Sequence, residues 1–234
     1  MRSLLVLASL AVSTTAVFAE TAQESLKDSA EVFSEIMATP DKGIPQDLLA
    51  KAQCVVVIPG MKKGAFVVGG EYGRGVAECR RPDRTGWGAP ASVRVEGGSV
   101  GFQIGGTSTD VVMLVMSQRG MDKLTSDKFT LGADAAVAAG PVGRTAQAAT
   151  DLELHAEILA WSRSRGAFAG ISLNGATLRP DDKRNEELYG HKMSNREVLT
   201  SNMAPPESAR PLIRELDKYS PYKERGDSAD RQKH

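Results

Sequence analysis

Apolar and polar positions along this chain change period twice. Residues 22–38 carry Leu26, Ala30, Phe33 and Met37 at i, i+4, i+7 and i+11, with Ile36 alongside. Lys27, Asp28, Glu31 and Glu35 fill the opposite face, so the spacing predicts an amphipathic helix. Pro40 and Gly43 end it, and Pro45 starts a second short helix that brings the helical stretch to about residue 52. From residue 53 the period becomes two. Cys54-Val55-Val56-Val57-Ile58 is apolar on both faces, as a central buried strand requires, and Ala91-Ser92-Val93-Arg94-Val95-Glu96 alternates as a half-exposed strand does. Further strands are expected at 66–68, 75–79, 99–104, 111–116, 129–131 and 135–139. Glu71-Tyr72-Gly73-Arg74 reads as a turn, residues 119–125 as a short helix, and 157–161 with 168–173 as a hairpin about Arg165-Gly166. Helices are expected again at 182–189, 195–199 and 207–219, followed by a charged, disordered end.

Glycine punctuates the strand region. Twenty of the 23 glycines lie between Gly60 and Gly175. They gather in four clusters: Ile58 to Gly70, Gly97 to Gly106, Ala139 to Arg144 and Ser162 to Gly175. Glycine within strand patterns marks bulges, bends or close backbone approach, so this sheet should be strongly curved or partly closed. The expected fold is therefore α+β: a curved, glycine-rich, mainly antiparallel sheet or partial barrel over residues 53–175, covered by N- and C-terminal helices. The order and wording of the four clusters, from about Ser25 to Leu199, resemble the SYLF domain family. That resemblance implies one domain over residues 20–200, with 201–234 as a helical and disordered tail. It also implies a lipid-binding rather than catalytic role.

Composition narrows the function classes. Residues 1–19 read as a secretory signal peptide, with Arg2 as the positive region, Leu4 to Val12 as the apolar core and Val17-Phe18-Ala19 before the cut. Export to the periplasm or medium with cleavage after Ala19 is the expectation. Cleavage would leave 28 Lys+Arg against 29 Asp+Glu, which argues against nucleic acid as a partner. The chain's 12 aromatics are too few for the girdles of an outer-membrane barrel. Three scattered histidines and two cysteines show no metal-ligand spacing, and no cofactor motif is present.

Candidate chemistry is correspondingly limited. Gly97-Gly98-Ser99-Val100-Gly101 matches the G-x-S-x-G pattern, but the residues after it continue as strand and supply no nucleophile elbow. No catalytic residue is assigned. An even cysteine count in an exported chain favours a Cys54–Cys79 disulfide over two buried thiols. If strands 54–58, 65–70 and 75–80 formed a plain meander, the first and third would lie about 9–10 Å apart. A bridge needs about 7 Å or less, so the segment between would have to leave the sheet or fold over it. Lys62 and Lys63 fall at a glycine-rich turn, and Arg74 and Arg144 sit beside glycines at strand ends. These four are the candidate contacts to an anionic phospholipid headgroup. Arg163 and Arg165 share the glycine-flanked setting.

In eukaryotic relatives the resemblance implies a lipid-binding N-terminal amphipathic helix. Here Lys27 is the helix's single cation against Glu24, Asp28, Glu31 and Glu35, a poor match for an anionic surface. Anionic phospholipid binding in the cell envelope is thus the leading reading. A structural or interaction protein without a specific lipid is the alternative.

Overall fold

A computed structural model describes residues 20–39, 43–65, 68–83, 86–100, 105–142, 156–164, 167–171 and 173–220. Four long strands dominate it: β1 (Cys54–Ala65), β2 (Val68–Cys79), β3 (Ala91–Val100) and β4 (Gly105–Val115). Shorter strands follow: β5 (Phe129–Thr130), β6 (Val137–Ala139), β7 (Ile158–Ser164), β8 (Ala167–Gly170) and β9 (Thr177–Pro180). Among the described residues these form one sheet in the order β5-β9-β3-β2-β1-β4-β7-β6, with β8 also pairing β7. All pairs are antiparallel except β6 with β7. The sheet curls into a half-barrel. Residues 131–136 run from the β5 edge to the β6 edge, held by Leu131 N donating to Ala176 O and Ile158 N to Ala136 O. The fold is α+β and strongly curved, as the glycine pattern predicts.

Helices bracket the sheet. α1 (Ala22–Met37) opens on a capping box between Thr21 and Glu24. α2 (Gln46–Lys51) follows, and α3 (Gln118–Leu124) starts from Ser117, whose hydroxyl accepts from Gly120 N. After β9 come α4 (Asp182–Tyr189), α5 (Asn195–Thr200) and α6 (Arg210–Tyr219), the last preceded by one 3-10 turn.

The double-sided strand Cys54–Ile58 occupies the middle of the sheet, and its alternation splits the core in two. Cys54, Val56 and Ile58 point into the concave side with Val93, Val95, Met113 and Phe129. Val55 and Val57 point to the other side, where Leu26, Phe33 and Ile36 of α1 and Leu212 and Leu216 of α6 cover them. Leu26, Phe33 and Ile36 are fully buried. The apolar face of α1 is thus spent on the sheet and is not presented to a membrane.

Four local readings need correction. Glu71-Tyr72-Gly73-Arg74 is not a turn; it lies in the middle of β2. Lys62 and Lys63 likewise lie within β1, not at a turn. Residues 91–96 and 99–100, read as two strands, belong to one; Gly97 to Val100 are strand, as expected, while Gly101 lies outside the described residues. β9 was not foreseen at all. For the first three the reason is that glycine is equally acceptable in a turn and in an extended strand whose neighbour approaches closely; β9 contains no glycine and is only four residues long.

These long strands also place the cysteines. With β1 and β2 joined as one hairpin, Cys54 and Cys79 are direct cross-strand partners, not first and third in a meander. Their Cα atoms are 3.9 Å apart and their sulfurs are bonded at 2.04 Å. No segment has to leave the sheet.

A bulge in β1 then decides which way its lysines face. Ile58 and Met61 are both in the concave core although three residues apart, so one extra residue is inserted between them. The register to both neighbours shifts at this point: Val57 pairs Val76 but Lys62 pairs Tyr72, and Ile58 pairs Val111 but Met61 pairs Thr109. Gly60 makes the bulge with φ of 53°, a conformation that favours glycine, and its N–H donates to Asp110 at 2.9 Å. Beyond the bulge the parity of β1 is inverted.

Candidate functional site: a charged face of the sheet

Consecutive strand residues point to opposite faces. Lys62 therefore shares the helix-side face with its partner Tyr72, while Lys63 faces the concave lip with its partner Glu71. Each lysine has a local partner. Lys62 Nζ donates to Ser108 Oγ at 2.9 Å, and Lys63 Nζ lies 2.8 Å from Glu71 Oε2. The two do not make one headgroup site. Arg74 is on the helix-side face, its Nε 3.2 Å from Asp181 Oδ2 and its guanidinium 5.6 Å from the Tyr72 ring centroid. Arg144 and Arg165 lie outside the described residues.

The register assembles a different set. Arg74 of β2 is directly opposite Arg94 of β3, and Arg94 is directly opposite Arg179 of β9. Directly opposed residues project to the same face with Cβ atoms about 5 Å apart. Three arginines thus form a lateral row across three strands, a like-charge arrangement that is unfavourable without counterions. Two carboxylates supply them. Glu96, one row further along β3, accepts from Arg94 Nε at 2.7 Å and lies 3.5 Å from Arg179 Nε. Asp181 answers Arg74. The contacts of Arg74 Nε and Arg179 Nε are ion pairs without hydrogen-bond geometry. Side-chain exposure is 37% for Arg74, 33% for Arg94 and 35% for Arg179, so each guanidinium is partly in solvent. Tyr72, 42% exposed, is the large hydrophobic side chain most open to solvent among the described residues.

Asp181 and Glu96 differ in kind. Asp181 is buried; it is the N-cap residue of α4, yet its side chain makes no capping bond and turns to Arg74. A hydrogen-bonded network surrounds it. Asn185 accepts from Ser92 N at 2.7 Å and donates to Asn195 at 2.7 Å, and Arg184 reaches Glu20 at the start of α1. Glu96 is 40% exposed and belongs to no such network.

On the other flank of Lys62 the same face turns acidic. A cleft of about 420 Å³ between α1 and the β1 bulge is lined by Asp28, Glu31, Glu35, Lys62, Asp110 and Arg163, among others. Arg163 is the hub: its Nη2 lies 2.8 Å from Asp110 Oδ2, and it is also paired with Glu35 of α1. Its glycine-flanked position in the sequence gives no hint of this structural role. Among the described residues no group of His, Cys, Asp and Glu side chains is placed to hold a metal ion. No helix of the described residues is long and apolar enough to cross a membrane.

Sequence reading missed Arg94, Glu96 and Arg179. Arg94 and Glu96 are polar positions of a correctly read alternating strand, which was the available signal. Without β9 they had no neighbour to form a row with.

The curled glycine-rich sheet and its helical brackets agree with the comparison to known proteins. The family profile Ysc84, described as "Las17-binding protein actin regulator", matches residues 96–219. The chain is 31% identical over 205 residues to LAS seventeen-binding protein 3 of Saccharomyces cerevisiae, covering 82% of this chain and 44% of that protein. It is 34% identical over 190 residues to the SH3 domain-containing protein PJ696.02 of Schizosaccharomyces pombe, covering 80% and 44%. To the human SH3 domain-containing YSC84-like protein 1 it is 31% identical over 191 residues, covering 80% and 55%. The chain belongs to the Ysc84 (SYLF) family, and it spans about half the length of these relatives.

Proposed function

We propose that this protein is a non-enzymatic binding module for the anionic surface of a phospholipid membrane, working in the cell envelope after export. The observation that carries the reading is the partly exposed cationic row Arg74–Arg94–Arg179, beside exposed Tyr72 on the helix-side face of the sheet. Guanidinium groups suit phosphate because their planar donors bind two oxygens at once. An aromatic with an apolar body and a polar tip suits the headgroup region. Of the four residues suggested by the glycine turns, Arg74 stays in this site. Lys62 flanks it and Lys63 does not belong to it. The signal-peptide-like pattern of residues 1–19 and the Cys54–Cys79 disulfide support the location.

Flotation with phosphatidylcholine vesicles, with and without phosphatidylglycerol, tests the function. Binding should need the anionic lipid and weaken with salt. The triple change Arg74→Gln, Arg94→Gln and Arg179→Gln should abolish it while the far-UV circular dichroism stays native. Salt-independent binding, or binding that survives the triple change, would remove the reading. A protein ligand is the second reading, favoured by the family profile's description as a Las17-binding protein and by the name of one relative, LAS seventeen-binding protein 3. Failure to float with any vesicle, with a partner retained on immobilised protein, would select it.

A further inference from the structure

We infer that Glu96 is an internal stand-in for the ligand: its carboxylate holds the place of a phosphate group between Arg94 and Arg179, and the phosphate enters by displacing it. The inference rests on the proposed anionic ligand and names the group recognised and its seat.

The geometry comes first. A carboxylate presents two oxygens, and those of Glu96 are divided between two arginines of neighbouring strands, Oε1 to Arg94 and Oε2 to Arg179. A phosphate oxygen pair makes the same two-handed contact, with a further oxygen left for a third donor. Arg74, opposite Arg94 in the adjacent strand, is the donor in place. The row is thus already arranged around an oxyanion.

The two counterions differ in how readily they give way. Asp181 is buried within the α4 network and cannot leave without exposing Arg74 to an uncompensated environment. Glu96 has 40% of its side chain in solvent, so water can take over both its 2.7 Å hydrogen bond from Arg94 and its looser contact to Arg179. An exposed pair of this kind contributes little, so its exchange costs little. When Glu96 swings into water, three guanidiniums face one fixed carboxylate, and the row presents a net charge of about +2. With Glu96 in place the net is about +1 and the row is occupied. The site is therefore self-shielded when empty.

Conversion of Glu96 to glutamine separates this from a merely structural pair. Removing one negative charge beside an anionic surface should tighten binding about fivefold. The Glu96→Gln protein should bind inorganic phosphate, followed by NMR of the arginine Nε–H signals, about fivefold more tightly than wild type. It should gain as much on phosphatidylcholine vesicles containing phosphatidylglycerol. Arg94→Gln on the Glu96→Gln background should remove the gain, and unchanged urea midpoints should accompany both. Equal or weaker phosphate binding by Glu96→Gln overturns the inference. If wild-type vesicle binding then still depends on the arginines, the membrane reading stands without it. Tighter phosphate binding by Glu96→Gln with no vesicle binding by either protein supports the phosphate seat and overturns the membrane as its source.

Discussion

Gly75 separates two kinds of glycine that look alike in the sequence. A Cβ built on Gly75 would lie 1.9 Å from the carbonyl oxygen of Val57 and 2.8 Å from Ile58 Cα. Both are backbone atoms of the central strand, so no side-chain rotation relieves the clash. Cβ atoms essentially never come under 3.0 Å, so β1 would have to retreat by more than 1 Å at the start of its bulge. β1 is paired on both sides there, Val57 to Val76 and Val57 to Val112, and the retreat would strain both ladders. Overpacking alone costs about 1–3 kcal/mol. One or two weakened backbone hydrogen bonds add roughly 1 kcal/mol each. Gly75→Ala should therefore cost about 3–5 kcal/mol and lower the urea midpoint by about 1–2 M. Gly98→Ala is the matched control, because its Cβ meets nothing within 4 Å. That change should be neutral or stabilise by up to about 1 kcal/mol, through the lost entropy of the unfolded chain. Urea unfolding followed by tryptophan fluorescence reads both. Equal midpoints for the two variants would refute the claim that β2 is bare at Gly75 to admit the bulge.

Three further outcomes follow from the same packing. Reducing Cys54–Cys79, which closes a loop of 25 residues, should lower stability by about 3.5 kcal/mol on the chain-entropy model; an unchanged midpoint with both thiols titratable would contradict it. Glu78 is buried with neither carboxylate oxygen hydrogen-bonded, and burial first, then Asp217, hold its pKa well above the carboxylate range, with Arg81 opposing. The native state thus keeps a proton that the unfolded state releases, so this group's contribution to stability falls as pH rises from the ordinary carboxylate pKa through the folded one. Glu78→Gln should gain on wild type across that rise in paired urea midpoints, and a loss on wild type would reverse the assignment. Arg163→Met should leave Asp110 and Glu35 without their shared partner and speed amide exchange in α1, detectable by mass spectrometry; unchanged α1 protection would show that the apolar face alone holds the helix.

Much of the architecture was legible because it depends on near neighbours in the chain. The period of residues 22–38 places α1, whose apolar stripe then has only the sheet to cover. The unbroken apolar run Cys54–Ile58 demands two buried faces and so a central strand, which β1 is. The glycine clusters imply curvature, and the sheet curls. A strand's own period of two says which residues share its face, but it is silent on which residue of another strand stands opposite. That register is decided by long-range packing, and here it turns on one inserted residue at Gly60. The pleat of β1 sends Lys62 and Lys63 to opposite faces, dissolving the pair that the sequence suggests, and the bulge decides which lysine faces which side. Register also sets Cys54 beside Cys79 and aligns Arg74, Arg94 and Arg179, which are scattered over more than a hundred residues, into one row. Helices, strands and curvature were written locally; the charged row exists only where three strands meet, because only cross-strand pairing brings its members within reach of one ligand.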